Sequence, residues 1–437
     1  MKIQNVKGGY DFLPKEQRIR NYINNILKET FEKYGYYNVE TPILCYYDML
    51  ADKYDENNDI LKEIYRLKDQ GNRDLGLRYD LTVPFAKLIA LNKNNISFPF
   101  KRYEIAKVFR DGPVKIGRDR EFTQCDADVV GIEGQYIEAE LLSLFVEGFR
   151  RLNIEVIIKY NSRKLMTGLI LESGVDKDLV PDVTTILDKM DKFSIDEINE
   201  FLRELELNDN QISDINRYFQ MDLDLLKEMF RDTTNENIRL GIEEVDNLGK
   251  YLKGIGIDDI CGFSISLARG QNYYTGNVFE VYEKTGKLKG AVGSGGRYDT
   301  IIGNFIGDGN KYPAVGISFG LTSLYELLKE SEIFREKSQI DFYIIPMNTE
   351  IDSLKLANEI RGFGYNVEIE MNKRKFKKSM DYANGEKIPY VIVLGENEVS
   401  MKTFNVKNMF NGEQFEIRFD DLTKINEMVE KNKGGNK

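Results

Sequence analysis

The stretch from residue 100 to 131, FKRYEIAKVFRDGPVKIGRDREFTQCDADVVG, constrains this chain more than any other. KRYEIAKVFR carries β-branched and aromatic residues and stops at Asp111-Gly112-Pro113, a strong turn signal. EFTQCDADVV then returns at strand spacing, so a hairpin with a charged loop is predicted. Side chains alternate faces along a strand, which puts Gln124, Asp126 and Asp128 on one face. Arg110 closes the first strand, and Arg118 and Arg120 open the second. Taken alone, this is either a solvated edge laced with ion pairs or a ligand site.

The chain has no histidine, and that restricts the chemistry open to such a hairpin. Ser–His–Asp and Cys–His mechanisms, imidazole bases and histidine-ligated zinc are all excluded. Cys45, Cys125 and Cys261 are far apart and odd in number, with neither a metal-ligand nor a disulfide pattern. No metal site is expected from the protein side. That cysteine usage favours a cytoplasmic protein. MKIQNVKGGYDFLP has no apolar core of a secretory signal, and no apolar run nears the roughly 20 residues that cross a bilayer. No membrane partner is expected. G-x-x-x-x-G-K-[ST] is missing, so a nucleotide is not held by a P-loop. The net charge of −11 leaves room for a polynucleotide only at local basic surfaces.

At 437 residues the chain has length for two or three domains. Residues 15–35 have helical apolar spacing with Gly35 as the stop. YNVETPILCYYDML reads as an edge or interface strand interrupted by Pro42. LGLRYDLTVPFAKLIA, residues 75–90, reads as a strand entering a helix, with Asp80 and Thr82 at the junction. They are placed to cap that helix, to hold a ligand, or both. GQYIEAELLSLFVEGFRRL, residues 134–152, reads as an amphipathic helix and VIIKYN as a strand; residues 166–245 then turn helix-rich and acidic, with no candidate chemistry. In FSISLARGQNYYTGNVFEVY, the residues Phe263, Ile265, Leu267 and Arg269 alternate and bring an arginine to a strand end. KGAVGSGGRYDTIIG carries glycines that permit close backbone approach, and AVGISFGLTSLYELL runs from strand to helix at Gly320. Residues 331–339 read as a linker, and from residue 340 strands and helices alternate as in a compact α/β domain. NKRKFKKS within it carries Lys373, Arg374, Lys375, Lys377 and Lys378, a solvated helix face or a contact to phosphate.

VFRDGPVKIGRDREFTQCDADVVG resembles motif 2 of the class II aminoacyl-tRNA synthetases, the histidyl family in particular. ARGQNYYTG resembles that family's histidine signature, with Gln271-Asn272 where Leu-Asp is commonest. Motif 1, the helical insertion, motif 3 and an anticodon-binding domain follow in the family's order. The resemblance implies an α+β fold: an antiparallel sheet with flanking helices, a helical insertion and a C-terminal α/β anticodon-binding domain. The implied division is 1–165 and 246–330 for the catalytic domain, 166–245 for the insertion and 336–437 for the last domain. It implies ligation of L-histidine to tRNA(His) with ATP and Mg2+, by a homodimer. Arg110 and Arg269 would act on the α-phosphate, with Arg118 and Arg120 also on ATP. Asp80, Thr82 and Gln124 would hold the α-amino end, Asp128 and Tyr274 the imidazole, with Tyr273 lining its pocket. Motif 3 departs from the pattern, with Ser323 where the family has an arginine. The rival implied by the same resemblance is a silent paralogue: a regulatory subunit of ATP phosphoribosyltransferase, or a histidine- or RNA-binding module.

Overall fold

The computed structural model describes residues 3–51, 59–190, 192–268, 273–331, 338–372 and 374–433. The chain parts into two compact units, Met1–Lys329 and Glu330–Lys437.

In the first unit the strands are β1 (Tyr37–Asn38), β2 (Leu44–Tyr46), β3 (Arg66–Lys68), β4 (Asp74–Leu77), β5 (Phe100–Phe109) and β6 (Glu121–Val130). They continue with β7 (Val156–Ser162), β8 (Cys261–Phe263), β9 (Asn277–Glu283), β10 (Gly293–Arg297) and β11 (Ala314–Gly320). Eight of them make one sheet in the order β1-β5-β6-β11-β10-β9-β7-β8, antiparallel except at its two ends. The predicted hairpin is β5–β6, the longest pairing in that sheet, with Arg102 opposite Asp128 and Glu104 opposite Asp126. Strand alternation divides its two faces by chemistry. On one face, Phe319 of β11 packs against Phe31 of the Pro14–Lys33 helix and against Phe145 and Phe149 of the Tyr136–Arg151 helix. The helices bury that face, and the opposite face keeps the polar set.

Two segments differ from the reading of the sequence. YNVETPILCYYDML is not one strand: β1 lies at the edge of the large sheet, β2 joins a three-stranded sheet with β4 and β3, and Tyr47–Ala51 is helical. The break falls where Thr41 gives its backbone N–H to the Glu104 carboxylate at 2.9 Å, next to Pro42, which has none to give. The strand expected through Phe263, Ile265 and Leu267 ends at Phe263, and residues 265–266 turn. The buried Asn161 amide satisfies the Ile265 and Leu267 carbonyls at 2.9 and 3.0 Å, so no ladder forms there. Arg269 and the three residues after it lie outside the described residues.

Helices dominate between Arg163 and Gly254, and Ser194, Asn208, Asp222 and Asn235 cap four of them with their side chains. The Arg163–Glu172 and Glu236–Gly254 helices meet through glycines: a Cβ on Gly168 would lie 2.7 Å from the Ile238 nitrogen, and one on Gly241 would overlap Leu165 backbone.

The second unit holds β12 (Phe342–Met347), β13 (Val367–Ile369), β14 (Tyr390–Gly395), β15 (Thr403–Asn408) and β16 (Gln414–Arg418). The order is β13-β12-β14-β15-β16, parallel among the first three and antiparallel in the final hairpin. Phe342, Ile344, Leu356, Ile360, Ile392, Phe404 and Ile425 form its core.

The backbone-to-backbone crossing sets a stability test. Gly241→Ala is expected to destabilise the protein by about 1–3 kcal/mol, as overpacking does. The reading is the thermal midpoint; a midpoint equal to the parent's would show that the two helices can separate at no cost.

Candidate active site

The polar face of the sheet opens into a cleft of about 210 Å³. Its lining includes Asp80, Thr82, Arg110, Gln124, Asp126, Asp128, Tyr273, Tyr274, Tyr298 and Ser318. Six of the residues singled out in the sequence thus meet in one place, joined by Arg110 at the end of β5.

The floor is set by buried charge. Asp128 receives the Tyr298 hydroxyl on Oδ1 at 2.5 Å, and Arg102 Nη2 lies 2.8 Å from Oδ2 as an ion pair. Burial raises the Asp128 carboxyl above its ordinary range, and Arg102 and the Tyr298 hydrogen bond oppose that shift. Arg102 also pairs with Glu104, which in turn binds Arg78 Nη1 at 3.1 Å and the Thr41 hydroxyl. Arg102 donates to the Leu81 carbonyl at 3.1 Å, fixing the entrance of the Thr82–Asn92 helix beside Asp128.

At that entrance Asp80 Oδ1 accepts the Val83 N–H at 3.0 Å, so Asp80 does cap the helix while it lines the cleft. Gln124 gives its amide to Ser318 at 3.3 Å, and its Oε1 is buried with no hydrogen-bond partner. Arg110 stands at the mouth, its guanidinium 4.2 Å from the Tyr79 ring centre and 5.0 Å from that of Phe122. Its Nε donates to the Tyr79 carbonyl, which steadies the plane of the guanidinium.

Glycines make the floor possible. A Cβ on Gly316 would fall inside the Asp128 carboxylate, and one on Gly296 would sit 2.7 Å from the Tyr274 ring. Only residues without a side chain let Asp128 and Tyr274 lie flat on these strands.

Beyond the cleft, Arg118 pairs with Glu63 at 2.9 Å and Arg120 with Asp111 at 3.1 Å. Both lie outside the cleft lining, in or beside the loop of the hairpin. The turn at Gly117 sits over Ser323, with Oγ 3.5 Å from where a Gly117 Cβ would be. The space at that helix start is therefore shared with the loop. In the second unit Lys375, Lys377 and Lys378 are exposed, whereas Arg374 is tied to Glu370 at 3.2 Å; Lys373 lies outside the described residues.

Arg102, Asp126, Tyr298 and Ser318 were missed as site residues. Alternation alone places Asp126 beside Gln124; Arg102 needs the hairpin register, which the loop hides. Among the described residues no cluster of three acids or cysteines is built to hold a metal ion.

Residues 8–324 match the family described as histidyl-tRNA synthetase, and residues 341–427 match the anticodon binding domain. A histidine--tRNA ligase 1 of Bacillus cereus is 44% identical over 97% of this chain and 99% of its own length. The histidine--tRNA ligase of Bacteroides fragilis is 34% identical over 95% and 97%. The crystal structure of histidyl-tRNA synthetase from Nostoc sp. PCC 7120 superposes with a TM-score of 0.82 at 29% identity, covering 96% of this chain and 98% of that one. An ATP phosphoribosyltransferase regulatory subunit/histidyl-tRNA synthetase from Bacillus halodurans C, at 20% identity and a TM-score of 0.76 over 90% and 98%, shares the fold. On the family match and the length of these alignments, the chain belongs to the histidyl-tRNA synthetase family.

Proposed function

We propose that the cleft activates L-histidine with ATP as histidyl-adenylate and passes the aminoacyl group to tRNA(His). The chain is a class II aminoacyl-tRNA synthetase and a ligase, since its relatives match it through both the catalytic and the anticodon-binding parts. The regulatory-subunit reading is not favoured, because the ligases align over nearly the whole chain.

One observation carries the assignment of roles: the chemistry is graded along a single sheet face. A guanidinium stands at the mouth, an unpartnered amide oxygen lies midway, and a fixed carboxylate lies at the floor. A histidine laid along that gradient puts its carboxylate near Arg110, its α-amino group near Gln124, Asp80 and Thr82, and its ring against Asp128, Tyr273 and Tyr274. The carboxylate oxygen then attacks the α-phosphorus, the bond to the bridging oxygen breaks, and pyrophosphate leaves. Arg110, joined by Arg269, offsets the negative charge that builds on the phosphate. In the transfer step the adenylate phosphate takes the proton of the terminal ribose hydroxyl, because the chain has no imidazole to do so.

Magnesium enters with ATP as part of the substrate. Arg118 and Arg120 reach the nucleotide by exchanging their carboxylate partners for phosphate. Lys375, Lys377 and Lys378, with Lys373 and Arg374, form the tRNA-facing surface of the second unit. The helices of 166–245 act as an inserted domain. A homodimer is supported by exposed apolar side chains at the β1 and β2 edges, where Tyr37 is 72% and Tyr46 60% exposed. No described helix is long and apolar enough to cross a membrane, and a cytoplasmic location fits the three free buried cysteines.

Histidine-dependent ATP–pyrophosphate exchange, followed by charging of tRNA(His), tests the function. Arg110→Ala is expected to slow exchange on the order of 10²- to 10³-fold, the typical cost of one preorganised charge. A rate within a few-fold of the parent would remove Arg110 from the mechanism.

The glycine floor gives an independent test. Gly316→Ala must displace the Asp128 carboxylate, so the histidine KM should rise on the order of 10-fold or more, as when a charge-assisted bond is lost. The ATP KM should stay within about 2-fold. Equal losses for both substrates would assign Asp128 to the scaffold alone.

A further inference from the structure

We propose that Asp126 is a further anionic partner of the substrate's α-ammonium group, added to Asp80 and acting beside Gln124 at the centre of the cleft. The inference rests on the reading above, that histidine lies in this cleft.

Asp126 occupies the middle of the sheet, opposite Glu104 on β5 and Ser318 on β11. It lines the cleft and is only 4% exposed. Its neighbours on the floor have counter-ions: Glu104 has Arg78 and Arg102, and Asp128 has Arg102. Asp126 has no ion pair among the described residues, and its Oδ1 has no hydrogen-bond partner. The Gln124 Oε1, two residues away on the same face, is an orphan acceptor as well. Two buried acceptors without donors are costly unless a ligand supplies the protons.

Histidine brings one permanent cation at neutral pH, its α-ammonium, while most of its imidazole is uncharged. An ammonium has three N–H donors and so can serve both acceptors. Their Cα atoms, two apart on a strand, are roughly 7 Å from one another. A nitrogen between the two side chains reaches both with ordinary charge-assisted bonds.

The groups around Asp126 explain how the empty site tolerates it. Arg102 and Glu104 face it from β5, Asp128 from its own strand, Asp80 from the helix entrance and the Ser318 hydroxyl from β11. Tyr298, Tyr273 and Tyr274 close the deep end, and Arg110 stands at the mouth. Burial and then the Asp128 charge push the Asp126 carboxyl up to about 8, against the pull of Arg102 and Ser318. Below that pH the empty site therefore keeps a neutral carboxyl. Binding of the ammonium favours the carboxylate and releases one proton to solvent. Histidine affinity should accordingly rise with pH from 7 and level off above about 8, where the empty site already carries the carboxylate and binding releases no proton.

Asp126→Asn keeps the shape and removes the charge. Histidine KM and ATP KM are measured by pyrophosphate exchange between pH 7 and 8.5, with inhibition by 3-(imidazol-4-yl)propionate, which has the ring and no amine. The variant should raise the histidine KM on the order of 10- to 100-fold. It should leave the ATP KM and the propionate inhibition constant within about 2-fold, and it should abolish the pH dependence of histidine KM. Its thermal midpoint near pH 8 should equal or exceed the parent's, because a buried carboxyl with a raised pKa opposes folding as pH climbs. Asp126→Ser gives the same comparison should the amide variant misfold. An unchanged histidine KM, or equal losses for histidine and the propionate, overturns the proposal; the second result would put Asp126 on the ring. A parent without histidine-dependent exchange would instead sink the reading of the cleft.

Discussion

The first unit is organised around a knot of buried charge. Arg78, Arg102, Glu104 and Asp128 are each at most 3% exposed. Glu104 joins the two arginines, Arg102 joins Glu104 to Asp128, and Thr41 adds a hydroxyl and an N–H to Glu104. Arg78 also donates to the Lys107 and Thr41 carbonyls, and Arg102 to the Leu81 carbonyl. Four pieces of chain that are distant in sequence are therefore held by one network: the segment after β1, the entrance to the Thr82–Asn92 helix, β5 and β6. Such a knot is weak evidence for net stability, since desolvating four charges offsets much of their attraction. Its effect is on geometry. Loss of a single partner leaves a buried charge uncompensated, at a cost of about 3–5 kcal/mol, so competing arrangements of these segments are strongly disfavoured.

A fixed Asp128 then dictates the strands beside it. Its carboxylate occupies the volume where a side chain on Gly316 would be, and Tyr274 occupies that of Gly296. Glycine in a strand interior weakens the strand. Here the weakening is offset on the other face, where Phe319 of the same strand is clamped by Phe31, Phe145 and Phe149. The two faces of β11 therefore divide the work, aromatic packing on one side and ligand space on the other.

Much of this was legible in the sequence, and the failures have physical causes. The β5–β6 hairpin was readable because period-2 alternation and Asp111-Gly112-Pro113 are local signals. The strand–helix junction at Asp80 and the order of elements in the second unit were local too. Register was not: pairing Arg102 with Asp128 needs the exact geometry of the loop, and without it the knot is invisible. The residues 264–268 were misread because their alternation is genuine, while Asn161, over a hundred positions earlier, takes the carbonyls a strand would have used. Arg374 looked like the rest of its basic run until Glu370, four residues before it, claimed the guanidinium. In each case a side chain remote from the local pattern decided the outcome.

The missing histidine acquires a structural meaning in this light. A protein without imidazole has few groups that titrate near neutral pH, beyond the α-amino group. Burial raises the thiols of Cys45, Cys125 and Cys261, which takes them further from that range. Burial moves a carboxyl the opposite way relative to neutrality, bringing Asp126 up to about 8. Burial thus brings an acid at the centre of the cleft toward the range where an imidazole would ordinarily titrate. The substrate carries the only imidazole in the complex of protein and amino acid. Any ring titration seen there belongs to the ligand, and a response near pH 8 that Asp126→Asn removes separates the floor of β6 from the α-amino group.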